Sequence, residues 1–240
     1  NYCTQHQTSF SDYEVVHKNE KGKLWEIAYP LIDKVGEIVI ATTRPETMFG
    51  DVAVAVNPND ERYKDLVGCK ALLPIVKREI PIIADDYVDP AYGTGMVKIT
   101  PAHDPNDFEV GKRHNLELVQ VIDFDGKMIN VPSQFVGMTA LEARKRVLAA
   151  LEIDELLRGE KDIEHQVGQC YKCGSVIEPL AKEQWFVKMR QLADNAIAAI
   201  ERKEVTFTPE NKGDVVIKYL KDIKDWNISR QIPWGIPIPM

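Results

Sequence analysis

The sequence predicts an α+β fold: a closed, β-barrel-like or sandwich-like sheet of short mixed strands, helices at its periphery, and a small knuckle module. Three observations carry this. From Lys21 to about Ile122, short runs dominated by Val, Ile and Tyr are broken by Gly, Pro and Asn/Asp. Many short strands at close spacing favour a closed or sandwich-like sheet over repeated βαβ units. Beyond Thr139 the pattern turns helical, and Cys3-Thr-Gln-His6 and Cys170-Tyr-Lys-Cys173 bracket the central region with two C-x-x-[CH] pairs.

The expected strands are 23–30, 36–43, 51–56, 71–76, 80–84, 95–100 and 117–122, several of them alternating, as in Asp51-Val-Ala-Val-Ala-Val56. A helix is expected between Pro101 and Arg113, opened by the Asp/Asn cluster at 104–107. Thr139-Ala-Leu-Glu142 reads as a capping box, in which hydroxyl and carboxylate each take an unpaired amide of the first turn. Behind it Ala140, Ala143, Val147, Ala150 and Leu151 share one face, so that helix should pack on the sheet. Further helices are expected from about Lys182 to Lys203 and from Gly213 to Ile223. Pro233, Pro237 and Pro239 keep the last stretch extended. The domain reading is a knuckle or neck module (1–20 and 164–200), a central domain (21–163) and a return segment (201–240).

The 240 residues are 44% hydrophobic and 28% charged, with a net charge of −7. That balance excludes wholesale basic coating, as in a DNA-packaging protein, though not a local basic groove. No apolar run approaches the roughly 18 residues needed to cross a bilayer. Four cysteines are too few for a disulfide scaffold and point to a reducing compartment. The opening Asn-Tyr-Cys-Thr has neither a starting Met nor a signal pattern, so the chain is read as a piece of something larger.

Two-residue spacing lets both side chains of a knuckle point into one turn, and two knuckles supply four ligands for tetrahedral zinc. The expected set is Cys3, His6, Cys170 and Cys173, with His165 as the substitute for His6. Such a site is structural and has no open position for chemistry. Two other segments are dense in polar groups. Ile40-Ala-Thr-Thr-Arg-Pro-Glu-Thr-Met-Phe-Gly-Asp51 carries Thr42, Thr43, Arg44, Glu46 and Thr47 on a strand exit. In Gly93-Thr-Gly-Met-Val-Lys-Ile-Thr-Pro-Ala-His-Asp-Pro-Asn-Asp-Phe-Glu109, Lys98 and Thr100 share a strand face by period two. Asp104 and Asp107 follow three apart, where one helical turn aims both carboxylates the same way. Such a pair suits an ammonium group and a positioned water, or else serves only as negative charge at a helix start.

Together with Cys170-Tyr-Lys-Cys-Gly-Ser-Val-Ile-Glu-Pro179, Glu183-Gln-Trp-Phe-Val187 and Asp225-Trp-Asn-Ile-Ser-Arg-Gln231, these segments resemble the valyl-tRNA synthetases of class I, over essentially the whole chain. T-T-R-P-E-T is the valyl-type form; the isoleucyl relative would show T-T-T-P-W-T and the leucyl relative T-T-R-P-D-T. The resemblance implies the inserted editing domain with flanks returning to the catalytic core. Neither H-I-G-H nor K-M-S-K-S occurs, so ATP would be used only in a parent enzyme's absent synthetic domain.

An apolar pocket for Val cannot strongly reject Thr, its isostere with a hydroxyl, and this enzyme family is itself the standard illustration of that limit. The resemblance therefore implies hydrolysis of Thr-tRNA(Val), with threonyl-adenylate as a further candidate substrate. It places Asp107 on the threonine hydroxyl, Asp104 on the α-ammonium, and Lys98 with Thr100, Arg44, Thr43 and Thr47 around the pocket. Tyr92 would stack on the terminal adenine. His103 is the one tempting general base, and a water held by carboxylate and backbone is the more economical expectation. Implied partners are the 3′ end of tRNA(Val) and threonine as the edited amino acid, with no membrane, no DNA, a monomeric chain and a cytoplasmic location. Lys112-Arg-His114 and Arg144-Lys-Arg146 are the candidate basic contacts for tRNA. Three departures stand out: His6 where Cys is common, Asn227 where Cys is common, and a Trp234-Gly-Ile-Pro-Ile-Pro239 ending that leans toward the isoleucyl form. The competing readings are an isoleucyl- or leucyl-type editing domain and a non-catalytic tRNA-binding zinc module.

Overall fold

The computed structural model describes residues 1–239; Met240, the end of the expected return segment, lies outside the described residues. In chain order the strands are β1 (Tyr2–Cys3), β2 (Thr8–Ser9), β3 (Val15–Pro30), β4 (Glu37–Thr42), β5 (Ala53–Val56), β6 (Lys70–Leu73), β7 (Arg78–Ala84), β8 (Met96–Ile99), β9 (Leu157–Cys170), β10 (Phe186–Val187) and β11 (Trp226–Asn227). The helices are α1 (Pro105–His114), α2 (Ala140–Ile153), α3 (Arg190–Glu201) and α4 (Lys212–Lys221). The contacts divide into two units: Asn1–Gln7 with Val15–Ala181, and Thr8–Glu14 with the chain from Lys182 onward.

The first unit holds two open sheets, ordered β6-β7-β5-β8 and β4-β3-β9. β5 runs parallel to β7, and the other pairs are antiparallel. The sheet is therefore not closed as the sequence predicts. The two sheets meet by a single Leu31–Ala71 bridge rather than a ladder. The seventh expected strand, 117–122, pairs only at Ile122, with Met128. Its Val121 amide instead donates to the His103 ring at 2.8 Å, and a side-chain acceptor replaces the neighbouring strand. The six other expected strands are present.

Ile27, Tyr29, Ile40, Met48, Phe49, Leu73, Ile80, Ile82 and Met128 fill the space between the sheets. Each such side chain contributes roughly 1.5–3 kcal/mol by leaving water. α2 lies over this core with Ala143, Val147 and Leu151 buried, and Thr139 closes the expected capping box.

β3 is far longer than its predicted apolar part. Its ladder with β9 runs from Val15↔Cys170 to Ile27↔Leu157 with a bulge at Glu26/Ile27. The outer half is polar on both faces, so no alternation announces it. There the Gln169 side chain donates to Glu20, and farther in opposite charges meet across the strands, with Lys23 on Glu160 and Lys161 on Glu26.

In the second unit β10 pairs β11 antiparallel, and α3 packs on α4. The helix expected from Lys182 starts only at Arg190, because 182–189 is spent on β10 and the Met189 amide donates to Asp225 at 3.0 Å. Among the described residues no helix is long and apolar enough to cross a membrane.

Candidate functional site

β4 ends at Thr42, whose hydroxyl accepts the Arg44 amide at 3.0 Å. Pro45 then opens a buried 3-10 turn, Pro45–Gly50, which delivers the chain to Asp51. Within it the Thr47 hydroxyl donates to the Arg44 carbonyl at 3.0 Å. β8 pairs with β5 so that Lys98 lies opposite Val54. Its ammonium donates to Asp51 Oδ1 (2.9 Å), Thr47 Oγ1 (3.0 Å) and Thr100 Oγ1 (2.6 Å). Lys98 and Thr100 thus do share the face that period two assigns them.

Asp51 is wholly buried and also accepts the Thr100 hydroxyl at 2.6 Å and the Tyr29 hydroxyl at 2.7 Å. Burial and the Asp51 charge hold the Tyr29 phenol well above its usual range. A buried ion pair survives desolvation only when its remaining lone pairs and protons are used, as they are here. Asp51 escaped the sequence reading. The available signal was a carboxylate at the head of an otherwise apolar alternating strand.

Asp104 is the N-cap of α1. Its Oδ1 accepts the amides of Asn106 (2.8 Å) and Asp107 (3.2 Å), so one of its oxygens serves the helix. Asp107 is buried and its Oδ2 accepts the Thr100 amide at 2.9 Å. Burial, reinforced by Asp104, pushes its carboxyl up to about 7. Oδ1 has no protein partner among the described residues.

His103 is buried beside them and its Nε2 accepts the Val121 amide. Burial, with Arg44 and Lys98 nearby, pulls the imidazole down to about 3. Its Nε2 lone pair is taken by the Val121 amide, which leaves the ring poorly placed to act as a general base.

Arg44 is turned into a cluster rather than left free. It donates to Glu46 at 3.3 Å and to Glu178 at 2.5 Å, while Arg144 forks onto the fully buried Glu46 with two bonds of 2.8 Å. Arg144 is therefore an internal brace. Arg113 and His114 pair with Asp85 and Lys112 with Glu109, while Lys145 and Arg146 remain exposed. Thr43 is half-buried on the turn. Tyr92 is 63% exposed on a loop whose Gly93 has φ +58° and lies so close to β4 that a Cβ would meet Ala41 at 3.3 Å. The structure thus gathers Thr47, Lys98, Thr100, Asp104 and Asp107. It directs Arg44 elsewhere and leaves Tyr92 at the surface. Cavities of about 490 and 460 Å³ occur elsewhere, and none of these residues lines them.

Cys3, His6, Cys170 and Cys173 converge in the first unit, with their ligand atoms all within 4.8 Å of one another. Cys3 Sγ lies 3.7 Å from Cys173 Sγ and 3.5 Å from His6 Nδ1; Cys170 Sγ lies 3.6 Å from His6 Nδ1. The Ser175 hydroxyl sits 2.9 Å from Cys173 Sγ as an outer partner. This cluster could hold a metal ion, and His6 rather than His165 completes it. His165 instead stacks over Gly22 on the ribbon.

The family model for class I tRNA synthetases (I, L, M and V) matches residues 1–240. The chain belongs to that family. Curated valine–tRNA ligases align along all of it: 50% identity for Petrotoga mobilis, 52% for Symbiobacterium thermophilum and 51% for Geobacter sulfurreducens. The chain spans only about a quarter of their length, 28%, 26% and 27% respectively. A solved chain from the ternary complex of Agrobacterium radiobacter K84 LeuRS with tRNA and LeuAMS covers 68% of this chain and 24% of its own, with TM-score 0.47 and 18% identity.

Within this synthetase segment the polar centre offers one cation, two hydroxyls and a buried carboxyl near neutrality on adjacent strand and helix termini. Such a grouping can accept a hydroxyl, hold a carbonyl and order a water. No nucleophile–base pair for covalent catalysis occurs in it.

Proposed function

We propose that this chain is the editing region of a valine–tRNA ligase and hydrolyses the ester of Thr-tRNA(Val). The observation that carries the reading is Asp107, a buried carboxyl pushed up to about 7, one oxygen fixed by Thr100 and the other unpartnered. Threonine's hydroxyl can pair with that oxygen, whereas valine's methyl would leave it unpaired at a cost of roughly 1–3 kcal/mol. Asp104 Oδ2 takes the α-ammonium. The Lys98 ammonium has its three protons on Asp51, Thr47 and Thr100; an ester carbonyl taking the place of one of those hydroxyls would meet a positive charge as its own negative charge develops. Water adds to the carbonyl, the bond to the ribose oxygen breaks, and threonine and the tRNA 3′ hydroxyl leave. Thr43 lines the pocket, Arg44 holds its turn, and Tyr92 stacks on the terminal adenine.

Residues 21–163 form the editing domain in this reading, 1–20 with 164–200 the knuckle module, and 201–240 the return segment. The knuckle module holds structural zinc. A tetrahedron with Zn–S of ~2.3 Å and Zn–N of ~2.0 Å has edges of about 3.8 Å (S to S) and about 3.5 Å (S to N); three of the cluster's pairs, at 3.7, 3.5 and 3.6 Å, lie close to these, and all its ligand atoms lie within 4.8 Å of one another. ATP and valine belong to the remainder of a parent ligase, which would work in the cytoplasm on tRNA(Val).

The test is deacylation of Thr-tRNA(Val), Val-tRNA(Val) and Val-tRNA(Ile) by this chain and by its Asp107→Ala variant. Selective loss of threonine, abolished or made unselective by the substitution, is expected. Loss of Val from tRNA(Ile) alone moves the chain to the isoleucyl branch, and equal rates for chain and variant overturn the role of Asp107.

A further inference from the structure

The Cys/His cluster and the polar centre are joined by one residue that neither site uses directly. Glu178 follows the second knuckle by five positions. Its backbone exchanges two 2.9 Å hydrogen bonds with Tyr2, the neighbour of Cys3. The segment is stitched to the other ligands as well: the Cys170 amide donates to the Ser175 carbonyl at 2.8 Å, and the Ile177 amide to the Gly168 carbonyl at 3.0 Å. Glu178 is therefore held from both sides by the chain that carries the four ligands.

Its side chain points the other way. The carboxylate accepts from Arg44 at 2.5 Å and is largely buried. The Arg44 carbonyl in turn takes both the amide (3.2 Å) and the hydroxyl (3.0 Å) of Thr47, and that hydroxyl accepts from Lys98. The Pro179 carbonyl lies near the buried His103 ring, whose Nδ1 makes no hydrogen bond among the described residues, and His103 directly precedes Asp104. The knuckle and the Arg44–Thr47 turn are thus tied through Glu178.

We propose that Glu178 is a positioning residue through which the metal-binding cluster sets the geometry of the Arg44–Thr47 turn. Its kinetic consequence rests on the deacylase reading; its structural consequence does not. With the cluster loaded, the knuckle fixes the Glu178 backbone and the carboxylate fixes Arg44. With the cluster empty, the turn keeps Glu46 but loses its second anchor. The coupling belongs to Glu178, so it disappears when that carboxylate is removed.

The experiment uses the full chain loaded with zinc, as wild type, Glu178→Gln and Glu178→Asp, each before and after chelation. Amide hydrogen exchange at Thr47 and Asp51 is followed together with metal content and Thr-tRNA(Val) deacylation. Chelation is expected to speed exchange at both amides in wild type about tenfold, within the usual span of coupling between sites. Glu178→Gln is expected to retain its metal, to exchange as fast as chelated wild type, and to respond little to chelation. Its deacylation should lose about tenfold in kcat at near-constant KM, because Thr47 and Lys98 act at the reacting end, and Glu178→Asp should recover part of that loss. If chelation leaves Thr47 exchange in wild type unchanged, or accelerates it equally in Glu178→Gln, the proposal is overturned. If wild type shows the exchange coupling but cleaves no ester, the deacylase reading falls and the positioning role stands.

Discussion

Asp107 and His103 are displaced in opposite directions by the same burial. Folding keeps the Asp107 proton to about 7 although the unfolded carboxyl loses it near 3.8, so this group makes stability fall as pH rises through that window. Folding keeps His103 neutral down to about 3 although the unfolded ring protonates near 6.5, so this group makes stability fall as pH drops. Between about pH 4 and 6.5 the two slopes oppose each other. Asp107→Asn should unmask the histidine: urea midpoints of the variant should drop on acidification from pH 6.5 to 4 more steeply than those of wild type. Parallel curves would contradict the burial of Asp107. Lys98, Thr100, Asp104 and Asp107 were legible because strand and helix periods place them. Asp51 was not, because a buried carboxylate is defined by distant partners, here Tyr29 and Lys98, that local patterning cannot indicate; Glu46 stood out in its polar run, but its bond to Arg144 did not.

The β3–β9 ribbon is the element that local patterning hides most completely. A strand that covers no core on its outer half has no reason to alternate, and the run from Val15 to Gly22 carries no strand period. What holds it is pairing along the ladder and one close approach. A Cβ on Gly22 would lie 2.5 Å from His165 Cε1, so the ring occupies the space a side chain would need. Gly22→Ala should therefore cost about 1–3 kcal/mol in thermal or urea unfolding, and His165→Ala in the same chain should return most of it. Additive losses in the double variant would show that the contact is not the cause. α2, by contrast, was legible from Thr139 onward, since the capping box and its buried face are both local in sequence. The open rather than closed sheet was not legible, because strand order and the single Leu31–Ala71 bridge between the sheets are set by long-range pairing that local patterning does not carry.

Among the described residues, the two apolar clusters are made of residues from the first unit. The second unit buries few apolar side chains, chiefly Phe10, Ala193 and Ile197, and leaves Tyr219, Trp226 and Trp234 exposed. Local stability follows buried apolar contact. Amides of α3 and α4 should accordingly exchange with solvent before those of β5, β7 and β8 under native conditions. The reverse order would mean that the helices draw stability from something besides their own packing. Within the first unit, the ladder that starts at Val15 closes at Cys170, so everything between them departs from and returns to a single rung. Such a stretch behaves as a cassette. A short hairpin turn in its place would keep that rung, and the cysteine on it, while giving up the ties that leave the stretch elsewhere, from Arg44 to Glu178 and from Asp125 to Gln7.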